Sequence, residues 1–189
     1  MVRKPVEAEL IRTSFGQPVY QRGVFVFSLC PLCGEEVEMN GPGSDESWYG
    51  RLWLTVSRSL WPLMVFLTTP ASDVHDLRYH QGFLSNEGRE DADKEHRLHN
   101  YSQLGAYFTP RMKELSIQIR YLAPTQGVPR WWKSLINSDH RHYYTLCKNL
   151  KDLREDRKVM ESWIEAQYEA LRMFGKSNCR KDLCTNPRT

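Results

Sequence analysis

The sequence predicts a mainly α-helical protein with a small β-hairpin at its N-terminus and a long helix near its C-terminus. Three observations predict it. Residues from Val6 to Leu29 mix β-branched and aromatic side chains with turn signals, which reads as strand and turn. Thr69-Pro70 and Thr109-Pro110 each pair a capping hydroxyl with a proline suited to a first helical position. Finally Leu150, Leu153, Met160, Ile164, Tyr168, Leu171 and Phe174 recur at three-to-four spacing, one apolar stripe along a helix.

Taken in order, the hairpin is followed by Cys30-Pro31-Leu32-Cys33-Gly34, a tight knuckle that presents two thiols, and by the loop Asn40-Gly41-Pro42-Gly43-Ser44-Asp45. Residues 30–50 read as loop. A helix is expected from Thr69-Pro70 to the turn at Gly82, a second from Arg89 to about Phe108, and a third from Pro110 to near Pro124. Beyond Pro129 the run His140-Arg141-His142-Tyr143-Tyr144 reads as a turn made for packing or a protein contact. The long helix then ends at Gly175 and leaves a polar tail.

Composition narrows the classes. The chain has 189 residues, enough for one domain with a real core, and 40% hydrophobic with 26% charged residues is the balance of a soluble globular protein. A net charge of +3 is too small and too scattered to indicate nucleic-acid binding. The first residues lack the apolar region of a secretory signal, and Leu60 to Leu67, interrupted by Pro62, falls short of the roughly 20 residues of a membrane span. An intracellular product is expected to keep its cysteines reduced, so the five present are read as core thiols or metal ligands.

The residues that carry chemistry cluster around His75. On one helix His75 and Tyr79 share a face, while Asp76 is turned by about 100° from His75. A second helix packed antiparallel can bring Asp93 to the imidazole. A carboxylate on one ring nitrogen fixes the tautomer and leaves the other nitrogen to take a proton from water. Asp76 is then available for a cation. Calcium takes six to eight oxygen ligands, and a loop such as Gly41-Pro42-Gly43 offers backbone carbonyls without obstruction.

The order of these motifs resembles the phospholipase A2 superfamily, in particular its phage-encoded and parvovirus-capsid branches. The resemblance is carried by Gly41-Pro42-Gly43-Ser44-Asp45, His75-Asp76-Leu77-Arg78-Tyr79 and Ala92-Asp93, and covers Asn40 to Trp132. The chain is then expected to have three parts: an N-terminal hairpin and cysteine knuckle at 1–39 and a helical extension with its tail at 133–189, both outside the resemblance, and between them the phospholipase A2-like helical core at 40–132 that the resemblance implies. The resemblance further implies that His75 activates water, Asp93 orients His75, Tyr79 hydrogen-bonds Asp93, and Asp76 with the carbonyls of Gly41, Pro42 and Gly43 binds calcium. The implied reaction is hydrolysis of a phospholipid acyl ester at a membrane surface. The alternative is a non-enzymatic virion or assembly protein that retains the fold and joins other phage structural proteins, or its own copies, through the C-terminal helix. Host cytoplasm and virion are the expected locations.

Two further groups stand apart. Cys30-x-x-Cys33 and Cys179-x4-Cys184 make up a four-thiolate structural zinc site if the termini meet, with Cys147 left over. Asp93, His96 and His99 form an Asp-x-x-His-x-x-His series with transition-metal spacing, although such a series is more often a solvated helical face. Trp48 to Leu67, with Trp53, Trp61, Met64 and Phe66, reads first as core or subunit interface and second as a lipid-facing collar.

Overall fold

The computed structural model describes residues 8–39, 62–81, 86–122 and 137–174. These form four strands and three helices: β1 (Glu9–Ser14), β2 (Gln17–Arg22), β3 (Phe25–Leu29), β4 (Glu36–Glu38), α1 (Pro62–His80), α2 (Asn86–Leu122) and α3 (Asn137–Phe174). The chain divides into two compact units, Met1–Tyr101 with Ile164–Thr189, and Ser102–Trp163. The divisions fall inside α2 and α3.

The first unit holds the sheet. The hairpin expected at the N-terminus continues into a four-stranded antiparallel meander in the order β1-β2-β3-β4. Phe15 and Gly16 join β1 to β2 with φ of 47° and 85°, the two left-handed residues that suit a two-residue hairpin turn. A phenylalanine is an unusual choice there, and its ring stacks on His99 at 3.9 Å between centroids. The knuckle between β3 and β4 closes through Gly34 N–H to the Cys30 carbonyl and Cys30 N–H to the Glu35 carbonyl, both 2.8 Å. Gly34 has a φ of 78°, so a glycine after the second cysteine is what lets the turn close.

One face of the sheet is covered by α1, which lies against β1 and β4. Val19, Val37, Met39 and both knuckle cysteines form a core with Leu77 of α1, and Ile11 and Val26 pack at its edge. A polar bolt reinforces this contact. Asp73 of α1, 2% exposed, receives Arg12 Nε and Nη2 at 2.8 Å each and the Ser14 hydroxyl at 2.6 Å, all from β1.

Each helix extends further than the local signals suggest. α1 starts at Pro62 and runs through Pro70, so Thr69 is no cap: its hydroxyl donates back to the Val65 carbonyl at 2.6 Å, as Thr68 does to Met64 at 2.9 Å. Burial of Met64 and Leu67 in the turns before Pro70 opposes the roughly 3 kcal/mol that an interior proline costs a helix. Residues 62–67 of the tryptophan-rich stretch are therefore helix, with Met64 and Leu67 buried and Phe66 exposed; Trp48, Trp53 and Trp61 lie outside the described residues.

α2 likewise continues through Pro110 where a new helix was expected to start. In the second unit, Arg111 donates to the Tyr107 carbonyl at 2.7 Å and lies 3.6 Å over the Tyr107 ring, while Leu104 and Phe108 are buried just before the proline. α3 begins at Asn137, so the His140 to Tyr144 segment is helical and not a turn. No proline or glycine occurs between Asn137 and Phe174 to stop it. In the first unit, Glu165 of α3 accepts the Tyr101 hydroxyl at 2.6 Å and Arg97 Nη2 lies 2.8 Å from it. Among the described residues no helix is long and apolar enough to cross a membrane.

Candidate active site and metal centre

The site lies between α1 and α2 within the first unit, where two polar stripes meet. Ser72, His75 and Tyr79 follow one another at three-to-four spacing on α1, and Arg89, Asp93, His96 and Asn100 do so on α2. Every one of these is buried except Tyr79, which is partly so. A stripe of that period is normally apolar when it faces a neighbour, so these residues must satisfy one another.

His75 Nε2 lies 2.9 Å from Asp93 Oδ1, and the Tyr79 hydroxyl donates to the same oxygen at 2.6 Å. An ionised carboxylate only accepts, so the imidazole must carry its proton on Nε2 and keep Nδ1 basic. Asp93 is fully buried. The imidazole is further confined by the Tyr79 ring at 4.1 Å and the His96 ring at 4.9 Å between centroids.

His96 closes the inner end. Its Nε2 lies 3.3 Å from Asn100 Nδ2 and 3.4 Å from Ser72 Oγ, and the Ser72 hydroxyl donates its one proton to the Thr68 carbonyl at 3.2 Å. Burial holds the His96 pKa well below the usual 6.5, with the neighbouring His75 and His99 adding to the effect. It therefore stays neutral at neutral pH and places no competing cation beside His75. Among the described residues, Asp93 Oδ2 and the Nε and Nη1 atoms of the buried Arg89 have no hydrogen-bond partner.

The structure thus brings three sequence-predicted residues, His75, Asp93 and Tyr79, into one hydrogen-bonded group. Asp76 is half-buried on the neighbouring position of α1. Gly41, Pro42 and Gly43 lie outside the described residues, as do Cys179 and Cys184. The Asp93, His96, His99 series is not a solvated face: Asp93 and His96 are 0% and 3% exposed because α2 turns this stripe toward α1.

A second group was only half read from the sequence. Cys30 Sγ, Cys33 Sγ and His80 Nε2 lie within 4.8 Å of one another and could hold a metal ion. His80 is the last residue of α1 and comes 3.4 Å from Cys33 Sγ. The four-cysteine pairing passed over it because 47 residues separate it from Cys33. No local signal in the sequence marks it, because only packing of Leu77 into the core around the knuckle brings the end of α1 there.

The chain matches no protein-family model, no curated protein and no solved structure.

Proposed function

We propose that this protein is a phospholipase A2-like, calcium-dependent hydrolase of phage type that cleaves phospholipid acyl esters at a membrane surface. The observation that carries the reading is the hydrogen bond from His75 to Asp93, with Tyr79 on the same carboxylate oxygen. His75 Nδ1 removes a proton from the attacking water, and Asp93 holds the ring in the tautomer that makes this possible. The proton passes to the alkoxide leaving group, which returns Nδ1 to its basic state. Tyr79 keeps the carboxylate in place. Asp76 and the carbonyls of Gly41 to Gly43 would hold a calcium ion, whose chemistry there would be polarisation of the ester carbonyl.

A second reading is a non-enzymatic virion or assembly part that keeps the same fold and carries a structural zinc. It is favoured by one specific observation: the His75 side chain is only 8% exposed, nearly closed to a lipid ester. One experiment separates the two. Full-length protein is mixed with phosphatidylglycerol and phosphatidylcholine vesicles, and fatty-acid release is followed with calcium and with chelator. Calcium-dependent release that disappears in His75→Ala, with circular dichroism unchanged, supports the hydrolase. No turnover by folded protein at any calcium level overturns it in favour of the assembly role.

A further inference from the structure

We infer that Cys30 Sγ, Cys33 Sγ and His80 Nε2 are three ligands of a bound zinc ion that fastens the end of α1 to the β3–β4 knuckle. The inference stands whether or not the His75 site is catalytic.

Three observations carry it. The first is geometry. The three atoms already lie within 4.8 Å of one another, and the Cys33 Sγ to His80 Nε2 separation is 3.4 Å. A tetrahedral zinc with bonds of about 2.3 Å to sulfur and about 2.0 Å to nitrogen sets that edge at about 3.5 Å, so the ion fits with little rearrangement.

The second is the turn. Cys30 and Cys33 flank a two-residue step closed by the Gly34 to Cys30 hydrogen bond, with Gly34 at a φ of 78°. This arrangement aims two side chains to one side of the backbone while the chain reverses between β3 and β4. Packing alone would not require both positions to be sulfur, since each sits among Val19, Val37, Met39 and Leu77, where an aliphatic side chain would serve.

The third is charge. Each thiol gives up a proton on binding, so Zn²⁺ with two thiolates and a neutral imidazole is a net-neutral group. A neutral group is what a core can hold: Cys30 and Cys33 are 1% and 7% exposed. Soft sulfur with imidazole selects zinc over calcium or magnesium, whose ligands are oxygens. The fourth position falls to water or to the exposed Glu35, whose Oε2 lies 3.6 Å from the same His80 nitrogen.

The rival explanation is a thiol-to-imidazole hydrogen bond with no metal, and experiment separates the two. Full-length protein is purified without chelator, exposed to zinc sulfate, desalted, and analysed for metal and by zinc X-ray absorption. The expected result is about one zinc per chain, with two sulfur neighbours and at least one imidazole. A folded, zinc-free protein overturns the inference, and so does a shell of four sulfurs without imidazole. His80→Ala adds an independent arm. Because changes in partners of a ligand already weaken binding 10- to 100-fold, loss of the ligand should weaken zinc retention against a competing chelator by more than about 100-fold. Wild-type retention in a folded His80→Ala variant overturns the assignment. If that variant does not fold, the absorption spectrum of the wild-type protein still decides.

Discussion

His75 Nε2 and Asp93 Oδ1 stand 2.9 Å apart on two different helices, and Asp93 is wholly excluded from solvent. A buried carboxylate that shares one oxygen between an imidazole and a phenol acts as a fixed anchor. The imidazole can then present only one basic nitrogen, which is the arrangement general base catalysis needs.

Under the proposed hydrolase reading, Asp93→Asn is expected to lower calcium-dependent ester hydrolysis by about 10²- to 10⁴-fold, because an amide can donate to Nε2 and so favours the wrong tautomer. Tyr79→Phe keeps the base and should lose less activity, while costing about 1–3 kcal/mol of stability through the lost bond to a buried carboxylate. Initial rates on vesicles and urea unfolding of the same preparations check both. Equal activity loss in the two variants would contradict the division of roles.

The bolt between β1 and α1 predicts an asymmetry. Arg12→Ala leaves the Asp73 carboxylate, 2% exposed, with the Ser14 hydroxyl as donor but no cation beside it, and should destabilise by about 3–5 kcal/mol. Asp73→Ala leaves a guanidinium that is 32% exposed and can turn to water, so its effect should be smaller. Chemical denaturation of the two variants measures the difference, and the reverse order would show that the sheet does not depend on this ion pair.

His96 makes stability depend on pH. Its pKa in the fold lies well below 6.5, chiefly through burial, and that of His99 is lowered in the same direction. Between the lowered value and 6.5 the unfolded chain takes up a proton that the folded chain refuses. Stability is therefore complete above pH 6.5 and declines as pH falls from there, with His96 contributing up to about 1.4 kcal/mol per pH unit. Urea midpoints measured across this range should fall less steeply in His96→Gln, and an unchanged slope would remove His96 as a cause.

Pro110 sits on the exposed side of α2, with the Arg111 and Tyr107 contact beside it. Pro110→Ala restores a backbone donor and should raise stability by up to about 3 kcal/mol. A melting temperature that drops instead would show that Pro110 stabilises the helix.

Part of this architecture is written locally. The i to i+4 spacing of His75 and Tyr79 makes them neighbours on any helix, and the knuckle at Cys30 and Cys33 follows from two thiols and a glycine in five residues. The mainly helical character with a small antiparallel sheet follows from periodicity in the same way. Helix ends were harder to read. Proline carries a strong local stop signal, yet burial around Met64 and Leu67 in α1, and around Leu104 and Phe108 in α2, carried both helices through it.

What only the tertiary structure decided is which polar residues face inward. Asp93, His96 and Asn100 have the composition of a solvated face, and hydropathy cannot tell such a face from one that meets a matching polar stripe on another helix. Docking of α1 against α2 made that match, and docking of α1 on the sheet set His80 beside Cys33 across 47 residues. The sequence alone determined the chemical groups and their local spacing, because those are properties of one helix or one turn. Their partners depended on long-range packing, because a carboxylate or a thiol recognises an imidazole by position in space and not by distance along the chain.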